Sequence, residues 1–173
     1  MVTVIHRSLL VVFGRLPRRV RRVIVRTVTP SFTVGAICVI QREDGRIVLI
    51  KQRYRSRWGL PGGLAGRGEH PEQAVVREVR EEIGLDIELL GEPAVVVEPG
   101  VRRVDVVFEA RPRLSGEAVS DLDVLTPVSP EIVSVDWFPL GALPELQEET
   151  TAALEVLARR RAATIGERDS QRR

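Results

Sequence analysis

Cysteine is nearly absent: Cys38 stands alone in 173 residues. That excludes an internal disulfide framework and a cysteine-rich zinc site. The two histidines, His6 and His70, are too few and too far apart to suggest a histidine metal cluster. Aromatic residues make up only 4% of the chain, too little for the base-stacking platform of a single-stranded nucleic-acid binder. Lysine occurs once, at Lys51. No apolar run approaches the roughly 20 residues that a membrane-spanning helix needs. The short apolar run at residues 9–13 has no small-residue cleavage site after it and makes a poor signal peptide. A cytoplasmic, soluble protein is the expectation.

What is present suits one globular domain of ordinary size, with 43% apolar and 29% charged residues. The net charge of +2 hides an asymmetry. Residues 1–42 carry eight arginines and no acid, for +8, and the remaining residues sum to −6. Such segregation suits an acidic partner, a membrane surface or a nucleic acid, and it suits equally a solvated helix face in an arginine-rich chain.

Hydrophobic spacing divides the chain. Residues 1–30 form a basic leader in which Leu9, Val12, Phe13, Leu16, Val20, Val23 and Ile24 recur at helical spacing, as one helix or two broken near Pro17. From Thr33 a β-branched run, a turn at Glu43, Asp44 and Gly45, and a second run from Arg46 predict a hairpin. Residues 58–63 are too rich in glycine and proline for a regular element. A helix is expected from Pro71 to a stop at Gly84. Strands follow at 87–97, 103–110 and 131–138, with a loop at 111–130 and a closing helix at 147–161. The domain proper is 31–161, and 162–173 is a charged flexible tail. Strands and helices that mix without strict alternation point to a mixed sheet flanked by helices, an α/β class.

The chemistry is concentrated in residues 63–85. On a helix of about 100° per residue, Glu82 lies about 40° to one side of Glu78 and Glu81 about 60° to the other. Val75, Val76, Val79 and Ile83 make the buried face beside Glu82, so Glu82 should be partly buried. Three carboxylates on one stripe repel one another. A hard divalent cation removes the conflict, because oxygen-only ligands suit magnesium or manganese. Gly59, Gly62, Gly63, Gly66 and Gly68 before the helix let the backbone approach a ligand, and Arg77 can reach back to Glu69 and pin that loop. An acidic solvated helix face explains the helix alone about as well. The full spacing decides between them.

Gly63, five residues, Glu69, seven residues and then Arg77-Glu78-Val79-Arg80-Glu81-Glu82-Ile83-Gly84-Leu85 resembles, at every fixed position, the signature of the Nudix hydrolase family. The wider resemblance runs over about residues 31–158. It implies an α/β/α sandwich with a mixed sheet and hydrolysis of a nucleoside diphosphate linked to another moiety. By the family's pattern Glu78, Glu81 and Glu82 match the metal-binding carboxylates, with Gly63 contributing backbone. Arg77 and Glu69 match the pair that orders the loop. Glu131, before the last strand, is the candidate for a remote glutamate that positions water, or else a solvated strand end. Where the family has a serine or threonine cap, His70 stands, read here as structural.

Substrate contacts lie outside that signature. Arg53, Arg55 and Arg57 alternate before Trp58, on one side if the segment is extended. Arg53 and Arg55 are candidates for phosphate, Trp58 and Tyr54 for a base, with Gly62 and Gly63 as backbone donors. The pair Arg102 and Arg103 offers a second phosphate contact. A proline 15 or 16 residues after the signature, frequent in ADP-ribose hydrolases, is missed by one place at Pro99. The resemblance implies an ADP-ribose-like compound or a nucleoside triphosphate as the substrate. The alternatives are a prenyl or lipid-linked diphosphate, for which the leader would touch a membrane, and a non-catalytic nucleotide sensor. The intact glutamates oppose the sensor, and a homodimer built on the leader is favoured over membrane contact.

Overall fold

The computed structural model describes residues 13–28, 31–113 and 124–171. Leu9 and Val12 of the leader, and residues 114–123 of the loop before the last strand, lie outside them. The chain divides after Phe32 into two compact units. The first carries helix α1, Arg18–Val28, which begins directly after Pro17, whose carbonyl accepts from the Arg21 N–H at 3.1 Å. The helix breaks at this proline, as its missing N–H and fixed φ require.

The second unit holds β1 (Thr33–Ile40), β2 (Arg46–Gln52), β3 (Gly62–Leu64), α2 (Pro71–Ile83), β4 (Ile87–Glu98), β5 (Arg103–Pro112), β6 (Ile132–Pro139) and α3 (Glu148–Gln171). One sheet runs β3-β1-β5-β4, with β1 parallel to β5 and the other pairs antiparallel. A second sheet pairs β2 with β6, antiparallel.

β1 explains the layering. Ala36, Cys38 and Ile40 pack with Ala74, Val75, Val79 and Ile83 of α2. Ile37 and Val39, on the opposite face, pack with Ala153 and Leu157 of α3. A strand covered on both faces reads as a continuous apolar run, which is why TVGAICVI shows no alternation. Each fully buried valine or isoleucine contributes about 1.5–3 kcal/mol, so these two layers hold the sheet between the helices. The fold is a mixed α/β/α sandwich. Cys38 is fully buried in it, and burial pushes its thiol pKa up.

Three expectations are corrected. The turn after β1 closes through Gly45 and Arg46, yet β1 and β2 do not form a hairpin ladder. Only Gln41 and Ile47 bridge them, because β2 leaves to pair with β6. The glycine-rich approach contains a regular element after all, since β3 pairs with β1 across Gly62 and Ile37. Finally, α3 continues as helix to Gln171. Its alanines, arginines and glutamates are good helix formers, and no proline interrupts them.

Gly62 is required where β3 crosses β1. Its φ is +139°, and a Cβ there would lie 2.2 Å from the Ala36 carbonyl oxygen. Gly62→Ala should therefore cost about 2–4 kcal/mol from strain and displaced backbone together. A urea melt with an unchanged slope and a lower midpoint is the expected reading. An unchanged midpoint would refute the tight crossing.

Candidate active site

Helix α2 starts after His70, whose backbone is extended and whose N–H donates to Gln73 Oε1 at 3.3 Å. The helix ends at Gly84, in the left-handed region at φ +67°. Between these ends Val75, Val79 and Ile83 anchor the helix on the sheet. The carboxylate stripe is thereby turned toward the loop that follows β3.

Glu82 lies on the boundary and is only 8% exposed. Its Oε2 accepts from the Gly62 N–H at 2.9 Å, and its main-chain carbonyl accepts from Val128 at 2.9 Å and Ser129 at 3.3 Å. Glu78 packs over Gly63, where a Cβ would lie 2.5 Å from its carboxyl carbon. Only a residue without a side chain allows that approach. Burial raises the Glu82 pKa to about 8; Glu78, Glu131 and Glu81 add to the rise, and the Gly62 N–H opposes it.

Arg77 ties the loop to the helix. Its Nε and Nη2 donate to the two oxygens of Glu69 at 2.9 and 3.0 Å. Its Nη1 reaches Glu78 at 2.8 Å and Glu81 at 3.2 Å. Glu69 Oε2 also accepts from the Gly66 N–H at 2.7 Å. Arg77, and then Gly66, hold the Glu69 carboxyl at about 2, well below its usual range.

A cleft of about 380 Å3 opens above Gly62 and Gly63 and is lined by Glu78, Glu82, Glu131, Arg55 and Arg103. The structure thus brings together Glu78, Glu82, Glu131, Arg55, Arg103, Gly62 and Gly63 from the residues singled out in the sequence. It does not bring in Glu81, which stands at the outer edge of the stripe with its side chain 59% exposed. Arg53 and Trp58 are also elsewhere. Residues 53–57 make turns and bends rather than an extended run, with the Arg55 N–H closing on the Gln52 carbonyl. The three arginines consequently diverge: Arg53 to the Pro130 carbonyl, Arg55 to Glu149 and Arg57 to Glu145. Trp58 packs edge-on against Phe138 in the core below α3. Tyr54 does line the cleft.

Sequence reasoning missed Gln52, Gln147, Glu149 and Thr150, which line the same cleft. They arrive from the end of β2 and the start of α3, and no local periodicity marks them. Their one local signal is small: Gln147 precedes a helix and its side chain donates to the Arg57 carbonyl at 3.1 Å.

The donor set consists of carboxylate oxygens with glycine backbone beside them, which fits a hard divalent cation. Among the described residues no three acidic, histidine or cysteine groups already converge on one point, and Arg77 engages Glu78 and Glu81. A cation held by Glu82 and Glu78 would exchange the Glu78–Arg77 contact for its own and relieve the repulsion around Glu82.

Comparison with known proteins completes the picture. The NUDIX domain family matches residues 31–160. The chain belongs to the Nudix family. A MutT-like protein of Streptomyces ambofaciens is 31% identical over 126 residues, 73% of this chain and 76% of that one. An ADP-ribose pyrophosphatase of Methanocaldococcus jannaschii is 31% identical over 121 residues, 64% of each. The crystal structure of a MutT NUDIX hydrolase from Burkholderia pseudomallei superposes with a TM-score of 0.59 at 34% identity, covering 73% of this chain and 98% of that one. This Nudix chain is a pyrophosphohydrolase. Among its described residues no helix is long and apolar enough to cross a membrane.

Proposed function

We propose that the chain hydrolyses a diphosphate bond in a nucleoside diphosphate linked to another moiety, with magnesium or manganese as the cation. The observation that carries this reading is the burial of Glu82 on the floor of a cleft that Glu78 and Glu131 also line. A chain selected for stability alone would not gather these charges where one of them is desolvated.

When bound, a divalent cation supplies neutralisation of phosphate charge and activation of water at near-neutral pH. Glu78 and Glu82 would hold it. Gly62 and Gly63 bring backbone close to the substrate, and Gly62 fixes the Glu82 carboxylate through its N–H. Arg77 and Glu69 keep the loop in place, which matters because phosphoryl transfer depends mostly on positioning and charge neutralisation. Glu131 enters the cleft from the turn just before β6, remote from the helix, and can accept a proton from the attacking water. Its main chain is held there by the Arg53 N–H, which donates to the Glu131 carbonyl at 2.8 Å.

ADP-ribose and an oxidised nucleoside triphosphate are the two substrates to test first, because the names of two relatives carry them, an ADP-ribose pyrophosphatase and a putative 8-oxo-dGTP diphosphatase. Mass spectrometry of products tests this directly, with the purified chain offered ADP-ribose, other nucleoside diphosphate sugars, normal and oxidised nucleoside triphosphates and a prenyl diphosphate. Cleavage of a nucleoside compound in magnesium, abolished by a chelator and restored by added cation, is expected. Cleavage of the prenyl diphosphate alone, or of nothing, would overturn the nucleotide reading.

A further inference from the structure

The cleft has a second, basic end that the carboxylate chemistry does not use. Asp105 lies on β5 beside Gly35 of β1 in the parallel ladder, and it is only 2% exposed. A Cβ at Gly35 would fall 2.0 Å from its Oδ1. The glycine therefore leaves the notch that admits this carboxylate into the sheet. Two residues earlier on the same face of β5, Arg103 donates from Nε to Asp105 Oδ1 at 2.8 Å. Its side chain is 25% exposed and lines the cleft together with Glu78, Glu82 and Glu131.

Burying a carboxylate in this way costs stability even when it is paired, and an apolar pair of similar size would serve packing as well or better. What the pair does provide is aim. The Nε edge of the guanidinium is taken by Asp105, and the Nη nitrogens remain to grip a second oxyanion through two donors. The cleft is consequently polar along its length: carboxylates at the α2 end, which repel phosphate unless a cation intervenes, and a fixed cation at the β5 end. A substrate with two linked phosphates satisfies both ends, and a single phosphate satisfies one.

We infer that Arg103, aimed by the buried Asp105, is the subsite for the substrate phosphate that the carboxylate end of the cleft does not hold. Arg103 touches substrate; Asp105 is a positioning residue that acts through it. This inference rests on the diphosphatase reading of the cleft, and its test does not require turnover.

The test is calorimetric binding of α,β-methylene-ADP, which resists cleavage, and of AMP, to the full chain in magnesium. Arg103→Gln should weaken the ADP analogue about 10- to 100-fold, the worth of a charge-assisted contact. AMP should change less than about threefold, because in magnesium its single phosphate goes to the carboxylate end and leaves Arg103 without one. Asp105→Asn should weaken the analogue too, and the double variant should bind within about twofold of Arg103→Gln, since the two act as one unit. Arg103→Lys should recover only part of the loss. Where a hydrolysed substrate is in hand, Asp105→Asn should raise KM with kcat little changed. An analogue affinity untouched by Arg103→Gln, equal losses for AMP and the analogue, or no binding of the analogue to the unsubstituted chain would each overturn the subsite. If Asp105→Asn fails to fold, the more exposed Arg103 variants decide alone. Failure of hydrolysis with the binding pattern intact would count against the diphosphatase reading and not against the subsite.

Discussion

At pH 8 Glu82→Gln should melt about 10–20 °C above the unsubstituted chain in metal-free buffer, and with magnesium present it should hydrolyse substrate about 10²-fold more slowly or worse. The two effects share one cause. In the unfolded chain this carboxyl ionises near its ordinary value of 4.5, and in the folded chain burial holds the proton until about pH 8. Between those limits the folded state binds more protons than the unfolded one, so stability falls as pH rises across the window. The contribution is fully present below about 4.5 and is lost by the time the pH passes about 8, a change of about 5 kcal/mol. Glutamine keeps an oxygen for the Gly62 N–H and has no charge to desolvate, so its melting temperature should stay flat across the same range. Added magnesium should stabilise the unsubstituted chain at pH 8 and leave the variant nearly unmoved. Scanning calorimetry from pH 5 to 9, with and without cation, reads all of this. A parallel pH profile for the two proteins would show that Glu82 is not the desolvated group.

The second large effect belongs to Arg77. Its guanidinium spans Glu69, Glu78 and Glu81 at once, which a lysine ammonium cannot do because it is a single point charge. The side chain is more than a third exposed, so the ion pairs should contribute only about 1–2 kcal/mol to stability. Catalysis is far less tolerant, since a displacement of about 1 Å in a positioned group costs on the order of 10² in rate. Arg77→Lys should therefore retain a near-normal melting temperature with kcat lower by about 10²-fold, and Arg77→Ala should be slower still. Loss of activity only in proportion to loss of folded protein would show that Arg77 has a structural role and no more.

How far the sequence could be read depended on the distance over which each feature is determined. The stripe of Glu78, Glu81 and Glu82 and the burial of Glu82 follow from helical angles within one element, and they emerged from spacing alone. The helix stop at Gly84 was equally local. Pairing between strands was not. The residues after β1 carry every mark of a hairpin, yet β2 joins β6 more than eighty residues later, a choice made by tertiary packing. The alternation of Arg53, Arg55 and Arg57 did not carry through for a related reason: it has meaning only on an extended segment, and the backbone turns there, which leaves Arg55 alone of the three in the cleft. Arg103 and Gln147 converge on the cleft from β5 and from the start of α3, and no window of contiguous residues contains both.

If the carboxylates of one cleft hold a divalent cation for diphosphate hydrolysis, manganese titrated into the full chain and followed by electron paramagnetic resonance should fill a saturable site. Magnesium should displace it, and Glu78→Gln and Glu82→Gln should each weaken it at least about tenfold. Manganese binding unchanged in both variants would show that these carboxylates hold no cation.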